Sequence, residues 1–433
     1  MNNDDIVIAE GVRTAFIKSG TEAKGLQAAD LGAQILKALL ERAPIDAKEI
    51  DEIVFGCVAQ PFDQANVTRV AQIQAGLPLS IPAYTVHRNC SSSMQSVTDA
   101  FEKIRSGAAE VVVAGGMESL SNTPLIYNKA FTEFFTRLSG AKTGMQKLSV
   151  LSSFRPAMLN PRISLAEGLT DPTCGLNMGQ TAEILAREFG ISRAEQDAFS
   201  VDSHKKAAAA RKSGRLGREI APLFAPPNFS PITQDNGIRE DSSLEKLAKL
   251  RPVFDKNNGT VTAGNSSQIT DGAVALLITT AARAQAWGIK PMARIVGSAY
   301  AGLDPRRMGL GPVYSSSKLL KRLGMTMNQM QLVEINEAFA AQVLSCLKAF
   351  GSDSIAKERL GLDAAPGAID PAILNVNGGA VALGHPVGSS GGRLLLTLAH
   401  ELIERKLERG LATLCVGGGQ GAAFVIERTE YTR

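Results

Sequence analysis

Residues 38–56, ALLERAPIDAKEIDEIVFG, align without a gap on residues 318–336, KLLKRLGMTMNQMQLVEIN. Leu39 and Leu40 fall on Leu319 and Leu320, Ile50 on Met330, Ile53 on Val333 and Phe55 on Ile335. Few identities survive, yet the spacing of an amphipathic helix followed by a buried strand is kept. Two more correspondences run in the same order. VVVAGGM (111–117) matches TLCVGGG (413–419), each preceded by an amphipathic helix, and Ile6–Ala9 resembles Ile295–Gly297. A repeat of this length predicts two similar α/β domains packed on each other, because each copy has apolar faces that need a neighbour. It also exposes an insertion. In the second half Gly418 runs almost directly into GAAFVIE (421–427), whereas the matching DGAVALLI (271–278) follows VVVAGGM only after a long excursion. The expected partition is a first domain of residues 1–120 plus 252–282, an inserted loop domain of 121–251 and a second domain of 283–433.

At 433 residues the chain is too long for a single core. Its 44% apolar and 20% charged residues are those of an ordinary globular protein. A net charge of +4 without a concentrated basic motif argues against nucleic-acid binding. Five cysteines (Cys57, Cys90, Cys174, Cys346, Cys415) lack paired C-x-x-C spacing, so neither a disulfide framework nor a metal site is indicated. The start, MNNDDIVIAEGVR, is acidic and enters a strand without a leader pattern, and no run of 18 apolar residues occurs, from which a cytoplasmic location is expected.

The stretch His87–Gly116 places Cys90 where a polar turn becomes a helix whose apolar stripe is Met94, Val97, Phe101 and Ile104. Ser91, Ser92 and Ser93 keep the first turn small, which suggests a helix start open to a ligand. A thiol there has its thiolate stabilised by free N–H groups and the macrodipole, lowering a pKa of about 8.5 toward roughly 3.5–7.5. A small buried cysteine is the alternative. In the second half, NEAFA (336–340) follows the apolar strand Leu332–Ile335, so Asn336 emerges at a strand's carboxyl end, where open α/β sheets carry their sites. NGGAVALGHPVGSSGG (377–392) is a loop with six glycines that contains His385 and leads into a helix. His204 and His400 read as solvated helix residues and His87 as a turn cap. Cys415 ends an apolar strand before Gly417, Gly418 and Gly419. Two cysteines, a histidine and an asparagine on Gly-rich strand ends suit acyl transfer: a thiolate, its base, a second acid/base and an oxyanion donor. Phosphate-cradling and dinucleotide-binding glycine motifs are missing.

The excursion has two parts. Residues 179–213 read as two helices, the second capped by Ser192 with Glu195 three residues on, and 222–243 as loop. Residues 124–162 mix Phe131, Phe134, Phe135, Leu138, Val150, Leu151 and Phe154 with Lys129, Arg137, Lys142, Lys147 and Arg155. Such a stretch docks on a membrane or partner, or else packs as a flap on its own protein.

At NCSSSMQSV around Cys90, GTVTAGNSSQITDGA (259–273), NEAFAAQ (336–342), NVNGGAVALGHPVGSSGGR (375–393) and CVGGGQGAA (415–423), the chain resembles the thiolases, nearly end to end. That family comprises the CoA-dependent 3-ketoacyl-CoA thiolases and acetyl-CoA acetyltransferases. The resemblance implies α/β domains duplicated in αβαβα layers with an inserted loop domain. It also implies thiolytic cleavage of 3-ketoacyl-CoA in fatty-acid β-oxidation, or its reverse, Claisen condensation, as in a biosynthetic acetoacetyl-CoA thiolase. By resemblance Cys90 is acylated, His385 promotes its thiolate and Cys415 is the second acid/base. One oxyanion hole comprises His385 with a water held by Asn336, the other the N–H groups of Cys90 and Gly417. Arg239 is implied near the adenine or phosphates of CoA, and Ser267 and Met178 along the pantetheine. CoA enters as substrate, with no permanent cofactor and no metal. Expected partners are acyl-CoA and CoA, a second copy in a homodimer or dimer of dimers, a hydratase/dehydrogenase alpha subunit and a peripheral membrane contact. Short-chain members carry histidine where Asn177 stands. Residues 124–162 resemble the beta subunit of the trifunctional β-oxidation complex, which often has histidine at Asn336. Rival readings are a β-ketoacyl synthase, against which Cys415 before three glycines argues, and a non-catalytic lipid-binding subunit.

Overall fold

A computed structural model describes residues 2–429. Nine strands carry the fold: β1 (Ile6–Thr14), β2 (Glu52–Gly56), β3 (Ala83–Val86), β4 (Val111–Glu118), β5 (Thr270–Thr280), β6 (Ala293–Gly302), β7 (Leu332–Ile335), β8 (Arg409–Val416) and β9 (Gln420–Arg428). They line up in the order β7-β8-β9-β6-β1-β5-β4-β2-β3. Read outward from the β6–β1 junction, β1-β5-β4-β2 repeats as β6-β9-β8-β7. Only two residue pairs, Val7 with Arg294 and Ile8 with Ala293, make that junction. The repeat extends to irregularities: β1 slips against β5 between Ile8 and Glu10, and β6 slips against β9 between Ile295 and Gly297.

The helices used below are α1 (Ala28–Arg42), α2 (Val67–Gln74), α3 (Ser92–Arg105), α4 (Lys129–Gly140), α5 (Gly144–Ser152), α6 (Met178–Glu188), α7 (Arg193–Lys212), α8 (Gly311–Leu323), α9 (Ala340–Phe350), α10 (Ala380–Leu383) and α11 (Ser390–Glu404). Period-two alternation sends strand side chains to opposite faces. Ile53, Phe55, Val111 and Val113 join α1 and α2 in one outer core, whereas Val54, Val112 and Ala114 turn inward. The inward faces of both halves clasp α3 and α11, through Met94, Val97, Leu395 and Leu398 among others. Val333, Ile335, Leu411 and Val425 pack outward on α8 and α9. The result is five layers, helices–sheet–helices–sheet–helices, with α3 and α11 in the middle.

One correspondence needs correction. Phe55 pairs with Gly115 and Ile335 with Thr413, so Gly115 is the counterpart of Thr413, and Met117 that of Cys415. The match of VVVAGGM to TLCVGGG is therefore out of register by four residues. Glycine serves different ends in the two halves. A Cβ on Gly115 would meet the Val274 carbonyl at 2.0 Å, so that glycine permits close strand packing, whereas Gly418 and Gly419 turn the chain at φ +84° and +74°.

Residues 119–269 leave the sheet between β4 and β5, which are hydrogen-bonded neighbours. Helix α7 starts at Ser192 with the expected capping box to Glu195. A buried ion network pins the excursion to both halves. Arg13 of β1 contacts Glu219 at 2.8 Å and Asp235 at 2.7 Å, and Arg215 contacts Glu219 and, on α11, Glu401. Residues 124–163 form α4, α5 and a short hairpin; Phe134 and Val150 point inward, while Leu125, Tyr127, Phe135, Met145 and Leu148 are more than half exposed. None of the described helices is long and apolar enough to cross a membrane.

Candidate active site

Cys90 follows Asn89, whose φ of +44° swings the chain into α3. The His87 ring accepts the Asn89 N–H at 3.4 Å, in keeping with a turn cap. Ser91, Ser92 and Ser93 are fully buried, so the first turn is closed rather than open to a ligand. Their small size has a packing cause. A Cβ on Gly56 of β2 would lie 2.5 Å from that of Ser92, and the Ser93 hydroxyl accepts the Gly392 N–H of α11 at 2.8 Å. The N-termini of the two central helices thereby meet.

The Cys90 side chain is partly exposed at this junction. Burial raises its pKa from the usual value near 9, while N–H groups of Gly417 and of Cys90 itself pull the other way. The expected lowering is thus overturned: desolvation outweighs the helix terminus and favours the protonated thiol. Cys415, fully buried on β8, is held well above the usual range by burial and then by the neighbouring Cys90 and Cys346 thiols.

His385 is buried, its N–H donating to the Gln268 carbonyl at 3.0 Å. Its Nδ1 lies 2.6 Å from the Ser390 hydroxyl, which also donates to the Pro386 carbonyl at 3.1 Å. In the tautomer that sends the hydroxyl proton to Pro386, Ser390 accepts from Nδ1–H and the lone pair resides on Nε2. Nε2 is buried without a partner. Burial, and secondarily Arg393, lower the imidazole to about 4, so it is neutral. Asn336, also fully buried, donates its backbone N–H to Thr413 at 3.0 Å, and neither atom of its side-chain amide has a partner. Unpaired buried polar groups are costly and rare, and they mark places where a ligand or water completes the bonding.

Several residues hold these groups, and apart from Ser267 none was singled out from sequence. Asn265 accepts from Ala340 at 2.9 Å, Ser267 donates to Ala338 at 2.9 Å, and Gln268 takes the His385 N–H, so one extended stretch ties the NEAFA turn to the His385 loop. The buried Glu337 carboxylate accepts from Ser203 (2.6 Å), Asn375 (2.8 Å) and the Val381 N–H (3.1 Å), fixing α10 before His385. Glu118, at the end of β4, accepts from Val58 (3.1 Å), Ala59 (2.8 Å) and Gly388 (2.7 Å), and burial raises it to about 7. A lone carboxylate at or just beyond the end of an apolar strand carries no sequence signal for such distant partners.

Of the other residues picked from sequence, Met178 reaches the site: its sulfur lies 3.4 Å from where a Gly417 Cβ would be. Asn177 beside it accepts the Gln180 N–H as N-cap of α6. Ser267 lies between Ala338 and the His385 loop, whereas Arg239 is exposed on the rim, two residues beyond Gly237, whose carbonyl accepts from the Gln268 amide at 2.8 Å. His204 is not solvated. It is buried, accepts the Arg239 N–H at 3.1 Å and is pushed to about 4 by burial and then Arg239. His400 is likewise lowered to about 4 by burial, not solvated. Among the described residues no cluster of His, Cys, Asp and Glu could hold a metal ion.

Comparison with known proteins gives this geometry a family. Residues 6–282 match the model for the thiolase N-terminal domain and residues 289–428 that for the thiolase C-terminal domain. The chain is 40% identical over 427 residues to a 3-ketoacyl-CoA thiolase of Pectobacterium carotovorum subsp. carotovorum, covering 98% of this chain and 97% of that protein. It is 39% identical over 425 residues to one of Yersinia enterocolitica, with the same coverage. The crystal structure of the Bacillus anthracis acetyl-CoA acetyltransferase superposes with a TM-score of 0.86 at 36% identity, covering 98% of this chain and 99% of that one. Two duplicated halves, central helices meeting at Cys90 and the His385 loop, and these matches along the whole length identify the chain as a member of the thiolase family.

Proposed function

We propose that this protein is a CoA-dependent acyltransferase that cleaves 3-ketoacyl-CoA to acetyl-CoA and an acyl-CoA shortened by two carbons. The observation that carries this reading is the Cys415 thiol beside Cys90 in a chain that matches thiolases along its whole length, and the buried, unpartnered His385 Nε2 and Asn336 amide supply the other groups the reaction needs. His385 Nε2 takes the Cys90 proton as the sulfur attacks the 3-keto carbon. The new oxyanion is met by the N–H groups of Cys90 and Gly417, which already reach the Cys90 sulfur. Collapse breaks the C2–C3 bond, leaving an acyl-Cys90 thioester, while the thioester oxygen of the departing acetyl unit is held by His385 Nε2–H and a water on Asn336. Cys415 protonates C2. As a thiolate it then takes the proton of incoming CoA, whose sulfur attacks acyl-Cys90 and releases the product.

For CoA, Met178 and Ser267 flank the path to Cys90, and Arg239 borders it outside. The test is CoA-dependent cleavage of 3-ketoacyl-CoAs of graded chain length by wild type and Cys90→Ala. Loss of more than about 10³-fold in the variant is expected. Equal activity would remove Cys90 as nucleophile.

The inserted segment supports a further part of the proposal. Its exposed Tyr127, Phe135, Met145 and Leu148, interspersed with Lys129, Arg137, Lys142 and Lys147, suit a membrane surface or a hydratase/dehydrogenase alpha subunit. At the sheet edge, β3 lacks a neighbour on one side, and Phe62 and Leu79 of the adjoining loops are exposed, which suits a second copy in a homodimer or dimer of dimers. Co-sedimentation with anionic vesicles, before and after excision of residues 124–162, tests the first. Sedimentation velocity of a Phe62→Asp variant tests the second.

A further inference from the structure

The turn from β8 to β9 is built of Gly417, Gly418 and Gly419, and nothing in its own side chains fixes the direction of the Gly417 N–H. Gly419 is held from its own half, since its carbonyl accepts the Leu303 N–H at 2.8 Å. Gly417 is held from the other half. The Asn89 side-chain amide donates to the Gly417 carbonyl at 2.8 Å. Its neighbour Arg88 stacks its guanidinium 4.4 Å over the Tyr300 ring of β6 and donates to the Gln420 side chain at 3.1 Å. Two consecutive residues before Cys90 thus grip both sides of a glycine turn that belongs to the opposite domain. Asn89 is suited to this by its backbone: at φ +44° asparagine is among the few residues tolerated, and that conformation aims its side chain across the boundary while Cys90 enters α3.

We propose that Asn89 is a positioning residue whose amide holds the Gly417 peptide, so that the N–H groups of Gly417 and Cys90 converge on the carbonyl bound to the Cys90 sulfur. The proposal rests on the thiolase reading above. Cys90 brings one N–H from the first half and Gly417 the other from the second, so any drift between the halves opens the anion hole. An Asn89–Gly417 bond spans that boundary at the point where drift matters. Oxyanion donors act through geometry, since they must sit about 2.7–3.1 Å from the developing charge.

The experiment separates the anion hole from the nucleophile. Asn89→Gly keeps the left-handed backbone available and removes only the amide. Acyl transfer passes through an oxyanion, whereas alkylation of Cys90 by iodoacetamide displaces iodide directly and forms none. Asn89→Gly is therefore expected to lower kcat for 3-ketoacyl-CoA cleavage by about 10- to 10²-fold, while the limiting high-pH rate of Cys90 alkylation, where the thiol is fully ionised whatever holds the Gly417 N–H, stays within about 2-fold of wild type. Arg88→Met, which frees the other side of the turn, should show the same split at smaller size. A kcat equal to wild type in Asn89→Gly overturns the proposal. So does a parallel fall in cleavage and in that limiting alkylation rate, which is the signature of a disordered Cys90 loop. A wild-type protein that cleaves no 3-ketoacyl-CoA sinks the thiolase reading itself, whereas active wild type with equally active Asn89→Gly sinks only the clamp.

Discussion

The Nδ1 atom of His385 lies 2.6 Å from the hydroxyl of Ser390, and that contact selects which ring nitrogen faces the site. With the Ser390 proton on the Pro386 carbonyl, Nδ1 donates and Nε2 carries the lone pair, the tautomer that a general base at Nε2 requires. Replacing Ser390 with Ala frees the ring to rotate or change tautomer. The expected result is a fall in kcat of about 10- to 10²-fold with little change in KM, alongside a stability loss of about 1 kcal/mol. Steady-state kinetics and urea unfolding measure the two. Wild-type kcat in Ser390→Ala would show that the hydroxyl does not orient the base.

Asn336 offers an unusual separation of function from stability. Its amide makes no hydrogen bond to another protein group, so Asn336→Ala breaks no hydrogen bond within the protein. Activity should fall by about 10²- to 10³-fold as the water-mediated oxyanion contact is lost, while the thermal midpoint stays level or rises slightly. A drop in both would assign Asn336 a structural role instead.

The protonated resting thiol has a kinetic consequence. Cys90 is raised above its usual value by burial, and His385, lowered to about 4, is a weak acceptor for its proton. Only the thiolate reacts with iodoacetamide, so the inactivation rate should keep rising with pH through 9 instead of levelling near neutrality. A plateau below pH 8 would mean that a thiolate–imidazolium pair already exists.

Glu118 ties three backbone N–H groups, of Val58, Ala59 and Gly388, at the seam where the Cys90 and His385 loops meet. Glu118→Ala leaves these donors without their acceptor and should cost at least about 2 kcal/mol by chemical denaturation. Because its pKa is raised to about 7 from an ordinary 4.5, its ionisation also couples to pH. The native state binds this proton more tightly than the unfolded chain does. The group's contribution is complete below about 4.5 and is lost as pH rises through about 7. In Glu118→Gln, which cannot ionise, that part of the pH dependence should vanish; an unchanged stability–pH curve would refute it.

Much was readable along the chain because short-range patterns carried it. Leu39, Ile53 and Phe55 repeat as Leu319, Val333 and Ile335 at unchanged spacing, and the structure builds the same helix, short turn and strand from both. Cys90, Asn336, His385 and Cys415 stood out as reactive types at strand ends or in Gly-rich loops, and the structure sets Cys415 beside Cys90 and leaves His385 Nε2 and the Asn336 amide buried without partners. Asn89, Glu118, Glu337 and Ser390 did not stand out. The partners of the first three lie tens to hundreds of positions away, and the Ser390 contact depends on the turn at Pro386, so a linear pattern held nothing to recognise.

What the sequence by itself determined is what local chemistry determines: which segments become helix or strand, which faces turn apolar, and which reactive side chains sit at their ends. Tertiary structure decided the rest. Register between β4 and β8 came from hydrogen-bonded neighbours, not from the shared glycines, because pairing fixes position where identity does not. The three serines after Cys90 are small to admit β2 and α11, not a ligand. His204 and His400, charged-looking in their helices, are neutral in the fold, and the Cys90 thiol is raised where its helix terminus alone would lower it. Each reversal has one physical reason: desolvation depends on everything packed around a group, and that packing exists only after the two halves have closed on each other.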